Sequence, residues 1–219
     1  MWYLGWDCAN RTLAFVLMKV DLAELAACER DISSVTTFEQ LAELRARVRG
    51  IIEIRRAQVV DLLGDNIKNY THVQLARKLG DFLDQSEVAP ARIRDLSPRV
   101  IIEYQPPKLA RWGGATTEQA STVAHQLMFY YREFEVSYID SKEKNKVAAR
   151  VDLTYERYLA GCDTDSRKKT ARKRHTTDNF AFILANYTCG DANIKKALMN
   201  HAADACMQVI AFIKKTARE

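Results

Sequence analysis

Three carboxylates stand where the surrounding pattern calls for apolar side chains. Asp7 closes the run Trp2-Tyr3-Leu4-Gly5-Trp6, Glu103 closes Val100-Ile101-Ile102, and Asp204 lies inside Ala202-Ala203-Asp204-Ala205-Cys206-Met207. An unpaired buried charge is expensive, so each needs a partner, water or a metal. The last of these segments, drawn as a helix, is apolar nearly all round. It leaves one narrow stripe, His201, Asp204 and Gln208, at spacings of three and four. Each acid alone has a plain structural use: Asp7 can cap the turn through Asn10-Arg11, Glu103 can pair with an Arg, and the stripe can face water. Together, on two strands and one buried helix, the acids suit ligation of divalent metal by Asp7, Glu103 and Asp204. Mg²⁺ takes oxygen ligands, usually a few carboxylates plus substrate phosphate oxygens. Two such ions ~3.5–4 Å apart can activate a water and stabilise the leaving oxygen of a phosphodiester. His201 does not suit Mg²⁺, which prefers oxygen, but Mn²⁺ tolerates imidazole and is the expected substitute. A catalytic use for His201 is to order a water or to donate a proton to the leaving 3′ oxygen. Its bland use is a hydrogen bond to Asp204 or Gln208.

The elements that must position these residues can be read from periodicity. Residues 2–7 and 13–20 read as strands around the polar group Asn10-Arg11-Thr12, a hairpin pattern. Helical spacing over 34–49 predicts a helix inserted before the third strand, 51–63. A helix follows over 71–83, then a loop bracketed by Pro90 and Pro98. The strand 100–103 is continuously apolar, as in sheets buried on both faces. A helix over 117–131, a strand over 135–139, a basic region over 141–175 with a helical middle, and helices over 178–186 and 194–214 complete the chain. The order β-β-(α)-β-α-β-α-β-α-α makes the class α/β, in a single domain spanning 1–219.

The chain is 219 residues long, 47% hydrophobic, with a net charge of +5 that tilts the odds toward an anionic partner. The excess is concentrated: Arg167, Lys168, Lys169, Arg172, Lys173 and Arg174 form one cluster, and Lys142, Lys144 and Lys146 a weaker one. Such density suits sequence-blind phosphate contact; the alternatives are a solvated face or a localisation signal. Trp112, beside Gly113-Gly114, is the candidate for stacking on an unpaired base. No apolar run is long enough to span a membrane, and no basic segment precedes the first apolar run as in a secretory signal. With five cysteines and no C-x-x-C, the thiols read as reduced and the protein as intracellular.

Three motifs in order carry a family resemblance. Gly5-Trp6-Asp7-Cys8-Ala9-Asn10-Arg11-Thr12-Leu13-Ala14 resembles the opening strand and turn of RuvC-like Holliday junction resolvases, in the version found in poxviruses and other large DNA viruses. Ile101-Ile102-Glu103-Tyr104-Gln105 resembles their second acidic strand, and His201-Ala202-Ala203-Asp204-Ala205 their C-terminal helix motif. The resemblance implies an RNase H-like mixed five-stranded sheet flanked by helices, a homodimer, Mg²⁺, and paired nicks across a four-way DNA junction. For a viral source it implies the nucleus or a cytoplasmic replication site of the host cell. His201 departs from it, since most of the family has Asp there. The helix 117–131, ending in Phe129-Tyr130-Tyr131, is the expected dimer face. Three other functions compete. They are cleavage of RNA in an RNA–DNA hybrid, a non-catalytic architectural DNA-binding protein, and an actin-like sugar or acetate kinase. With 8 Gly and no G-x-G-x-x-G, the kinase lacks its phosphate cradle.

Overall fold

The computed structural model describes residues 1–8, 12–32, 40, 43, 47–62, 71–104, 115–149, 153–187 and 199–217. Strands β1 (Trp2–Cys8) and β2 (Thr12–Val20) pair antiparallel. β3 (Ile52–Asp61) adds antiparallel to β2, while β4 (Arg99–Tyr104) and β5 (Val136–Asp140) continue parallel from β1. The sheet order is β3-β2-β1-β4-β5, a mixed five-stranded sheet as expected.

Helices cover both faces of the sheet's central strands, which is why β1, β2 and β4 read as nearly unbroken apolar runs while the edge strands β3 and β5 do not. Leu4, Trp6, Cys8, Leu13, Phe15, Val100 and Ile102 pack on one side. There they meet α2 (His72–Gln85) through Leu75, Leu79 and Leu83, and α4 (Ala115–Tyr130) through Val123, Ala124 and Leu127. On the other side Tyr3, Val16, Met18, Ile101 and Ile139 meet α7 (Met199–Thr216), through Ala202, Ala205, Cys206 and Val209. Along β1 the alternation therefore sends Tyr3, Gly5 and Asp7 toward α7 and Leu4, Trp6 and Cys8 away from it.

Local chemistry explains three helix starts. Thr71 and Gln74 form a reciprocal capping box at the start of α2. α1 (Leu22–Ile32) has no counterpart in the periodicity reading; the Asp21 carboxylate nucleates it by accepting from the amides of Ala23 and Glu24, both at 3.1 Å. The Pro90–Pro98 loop contains a short helix, α3 (Pro90–Ile93), with its proline at the first turn. α5 (Tyr155–Leu159) is the helical middle of the basic region.

The largest departure is α6 (Asp165–Asn186), one helix where the sequence suggests a basic segment followed by an apolar one. Its inward stripe includes His175, Thr176, Asn179 and Asn186, so more than half of what it buries is polar and the apolar period starts only at Phe180. Asn179 keeps its partners there, donating to the carbonyls of His175, at 2.8 Å, and Leu153, at 3.0 Å. The helix expected over 34–49 lies mostly outside the described residues, although Gln40, Glu43, Arg47 and Val48 are helical. Residues 194–198 of the expected last helix also lie outside them. Of the aromatics offered as a dimer face, Tyr131 points the wrong way: it is fully buried and its hydroxyl donates to the Val88 carbonyl at 2.9 Å.

One glycine sets how closely α7 lies on β1. A Cβ on Gly5 would stand 2.5 Å from Val209 Cγ2 and 2.7 Å from the Ala205 carbonyl oxygen. The second contact is to backbone, so the helix itself would have to move. Gly5→Ala is expected to destabilise the fold by about 1–3 kcal/mol, as overpacking does. Urea unfolding checks this; an unchanged midpoint would show that the approach is not close.

Candidate active site

β1 and β4 run parallel with Gly5 beside Ile101 and Trp6 beside Ile102. The next step of that register sets Asp7 beside Glu103, both on the face under α7. The stripe of α7 then runs over this sheet edge. His201 Nδ1 lies 3.3 Å from Asp7 Oδ2, and Gln208 Nε2 donates to Glu103 Oε2 at 2.6 Å. Between them Asp204 Oδ1 accepts from Lys144 Nζ at 3.0 Å, and the same ammonium is 3.9 Å from Glu103 Oε2. His201 Nε2 is 3.4 Å from Thr12 Oγ1.

The cluster is graded from interior to surface. Glu103, Asp7 and Gln208 are 2%, 5% and 0% exposed. The side chains of Asp204 and His201 are 27% and 34% exposed, so the open side is theirs. Burial pushes Glu103 well above the usual carboxylate range, and its neighbour Asp7 pushes it further. Burial would raise Asp7 too, but hydrogen bonds with Glu103 and His201 and the charge of Lys144 outweigh it and hold Asp7 low. The two carboxyls are thus pushed in opposite directions, as expected of like charges held close together. Asp204 is raised by burial against the opposing pull of Lys144. Burial alone would lower Lys144; Glu103, Asp204 and Asp7 reverse that and raise it.

The donors at this edge are carboxylate oxygens, the chemistry a hard divalent cation takes. Yet among the described residues no three His, Cys, Asp or Glu side chains are set closely enough to hold a metal ion as they stand. Positive charge is supplied here by Lys144, which is only 7% exposed. Sequence alone groups Lys144 with phosphate-binding lysines. Its position is instead inward, because the short 3-10 turn Glu143–Lys146 that follows β5 packs against α7. Its neighbours Lys142 and Lys146 are exposed beside the site, Lys146 paired with Glu143.

Arg167, Lys168, Lys169, Arg172, Lys173 and Arg174 are all exposed on the N-terminal half of α6. Arg167 pairs with Asp163 at 3.0 Å and Arg174 with Asp178 at 3.5 Å, the one-turn pairs of a solvated helix. One turn on, Thr177 Oγ1 donates to Asn200 Oδ1 at 2.7 Å and ties α6 to the start of α7. Trp112 lies outside the described residues. Three members of the constellation go beyond the residues assigned to it from sequence: Thr12, named there only as part of the polar turn; Gln208, named only in the polar stripe; and Lys144, grouped there with the phosphate-binding lysines.

No family model matches the chain, and no curated protein does. Among solved structures it is similar to Thermus thermophilus RuvC, at 10% identity and a TM-score of 0.49, covering 99% of this chain and 97% of that one. It is similar also to T. thermophilus RuvC in complex with Holliday junction substrate, at 10% identity and a TM-score of 0.48, covering 98% and 96%.

The imidazole of His201 is raised above its ordinary pKa, chiefly by its hydrogen bond to Asp7 and against the effect of burial. A raised group adds stability that is complete below the unfolded-state pKa and lost as pH rises through the folded value. Without divalent ions, the melting temperature of the wild type is therefore expected to fall from pH ~6 to ~8 more than that of His201→Ala. Comparing the two curves separates the imidazole from the raised carboxyls. Parallel curves would remove the His201–Asp7 contact as a source of stability.

Proposed function

We propose that this protein is a metal-dependent, structure-selective DNA endonuclease that resolves four-way junctions by paired symmetric nicks, as the RuvC-like motifs imply. The observation that carries the reading is convergence. Asp7 and Glu103 from adjacent parallel strands and Asp204 from a helix packed on them meet at one sheet edge, beside an exposed basic helix. The implied cofactor is Mg²⁺, two ions per site, with Mn²⁺ as substitute; Asp7, Glu103 and Asp204 would hold it. Bound there, it would supply Lewis acidity for attack of water on a phosphodiester and for departure of the 3′ oxygen.

The chain's own residues do the rest. Gln208 orients Glu103 through its 2.6 Å hydrogen bond. His201 presents its Nδ1 to Asp7, so its other nitrogen, near Thr12 on the open side, is placed to carry a proton to or from the reacting strand. Lys142, Lys146 and the six cations of α6 bind phosphates of the junction arms without reading sequence. Two equivalent strands require two sites, hence a two-fold homodimer. Exposed Met128 and Phe129 on α4, with Val73 on α2, support that face as the contact.

A second reading has one observation in its favour. The Lys144 ion pairs already compensate the acids, as they would in an architectural junction-binding protein without catalysis. The acid variants decide between them. Asp7→Asn, Glu103→Gln and Asp204→Asn are each expected to abolish Mg²⁺-dependent nicking while junction binding survives. Near-normal cutting by any of them removes that residue from the site, and a wild type that binds but never nicks favours the architectural reading.

Neutralising Arg167, Lys168, Lys169, Arg172, Lys173 and Arg174 together is expected to weaken junction binding. The log–log salt slope should flatten by roughly one for each phosphate that no longer meets a cation. An unchanged slope would make the segment an idle surface. Sedimentation of the same complexes should show two protomers per junction, and a strict monomer on DNA would refute the assembly.

A further inference from the structure

Among the described residues, Lys144 is the only lysine or arginine buried in the acid cluster, and the nuclease reading gives it no role. Its ammonium is 3.0 Å from Asp204 and 3.9 Å from Glu103, two of the three acids assigned to metal. The turn that carries it is short and anchored at its start, where the Lys142 amide donates to Asp140 Oδ1 at 2.8 Å. Lys142 and Lys146 on the same turn face solvent, so the inward direction is particular to Lys144. A primary ammonium and a divalent cation seek the same thing here, carboxylate oxygens, and both cannot have the same oxygens at contact distance. A flexible four-carbon stem, unlike a fixed backbone donor, can leave.

Resting on the metal-ligand reading of Asp7, Glu103 and Asp204, we infer that Lys144 is the resident counter-cation of this site: it competes with the divalent ion for Asp204 and Glu103 and sets the protein's metal affinity. Metal entry moves the ammonium off Asp204 and out toward solvent. The lysine thus acts through the ligands as a positioning residue, holding the acids together in the metal-free protein and weakening metal binding in proportion to its own hold on them.

Two measurements on the full chain test this, neither of them activity. The first is calorimetric titration with Mn²⁺. Lys144→Gln is expected to bind Mn²⁺ at least ~tenfold more tightly than wild type, because a positive charge beside the ion has been removed. The second uses the wild type alone, so it stands even where the variant fails to fold. An amine-acetylating reagent, read out lysine by lysine by mass spectrometry, should label Lys144 more slowly than Lys142 and Lys146 without metal. At saturating Mn²⁺ the Lys144 rate should rise several-fold while its two neighbours stay unchanged. Lys144 remaining protected at saturation, or a variant binding Mn²⁺ no more tightly than wild type, overturns the counter-cation role and leaves the metal site standing. Absence of Mn²⁺ binding in both proteins overturns the metal-ligand reading and this inference with it.

Discussion

Mutual repulsion among carboxylates at one sheet edge is the constraint around which this molecule is arranged. Asp7 and Glu103 sit on neighbouring parallel strands and are almost wholly buried, with Asp204 above them. Buried like charges at such spacing cannot all ionise without compensation. The relief comes from separate parts of the fold: the Lys144 ammonium from the turn after β5, and hydrogen bonds from His201 and Gln208 on α7. Breaking a buried ion pair by removing one partner typically costs about 3–5 kcal/mol. That is a large share of the stability of an ordinary domain. A fold that accepts such a cluster without a chemical use for it would be poorly optimised, and this is the physical reason to seek its function there.

Close packing of α7 on β1 follows from the same constraint. Small side chains make it possible: Gly5 on the strand, and Ala202, Ala203 and Ala205 on the helix, all buried. They let the helix settle near enough for a stripe of three polar side chains to reach the strand ends. The exposed cations of α6 lie on the outside of the same region, where α6 is tied to the start of α7 through Thr177 and Asn200. Apart from the buried Lys144, positive charge is therefore held outside the acid cluster, the distribution that the proposed phosphate binding would use.

Much of this is legible in the sequence. Continuous apolar strands closed by a carboxylate report both the two-sided burial of the sheet and the acids at its edge. The helical wheel of α7 reports a stripe facing something other than solvent, and His201, Asp204 and Gln208 do face the acid cluster. The sequence is silent where burial is polar or where a cation turns inward. α6 carries His175 and Asn179 on its buried side, so the hydrophobic period that marks a helix is missing through its first half. Lys144 is flanked by Lys142-Glu143 and Asn145-Lys146, and nothing in that string distinguishes the lysine whose ammonium is buried. Only the turn's packing against α7 does so. Asp21 capping α1 is a local signal that hydrophobic spacing alone passes over.

Cutting of branched DNA by this acid edge is tested most directly by nick mapping. Each strand of a four-way junction is end-labelled in turn and incubated with the protein and Mg²⁺, alongside a linear duplex and an RNA–DNA hybrid of the same sequence. The expected result is paired nicks at symmetric positions on two opposing strands of the junction, with the duplex and the hybrid left intact. An uncut junction under conditions where the protein is bound to it, or preferential cutting of the RNA strand of the hybrid, would contradict it.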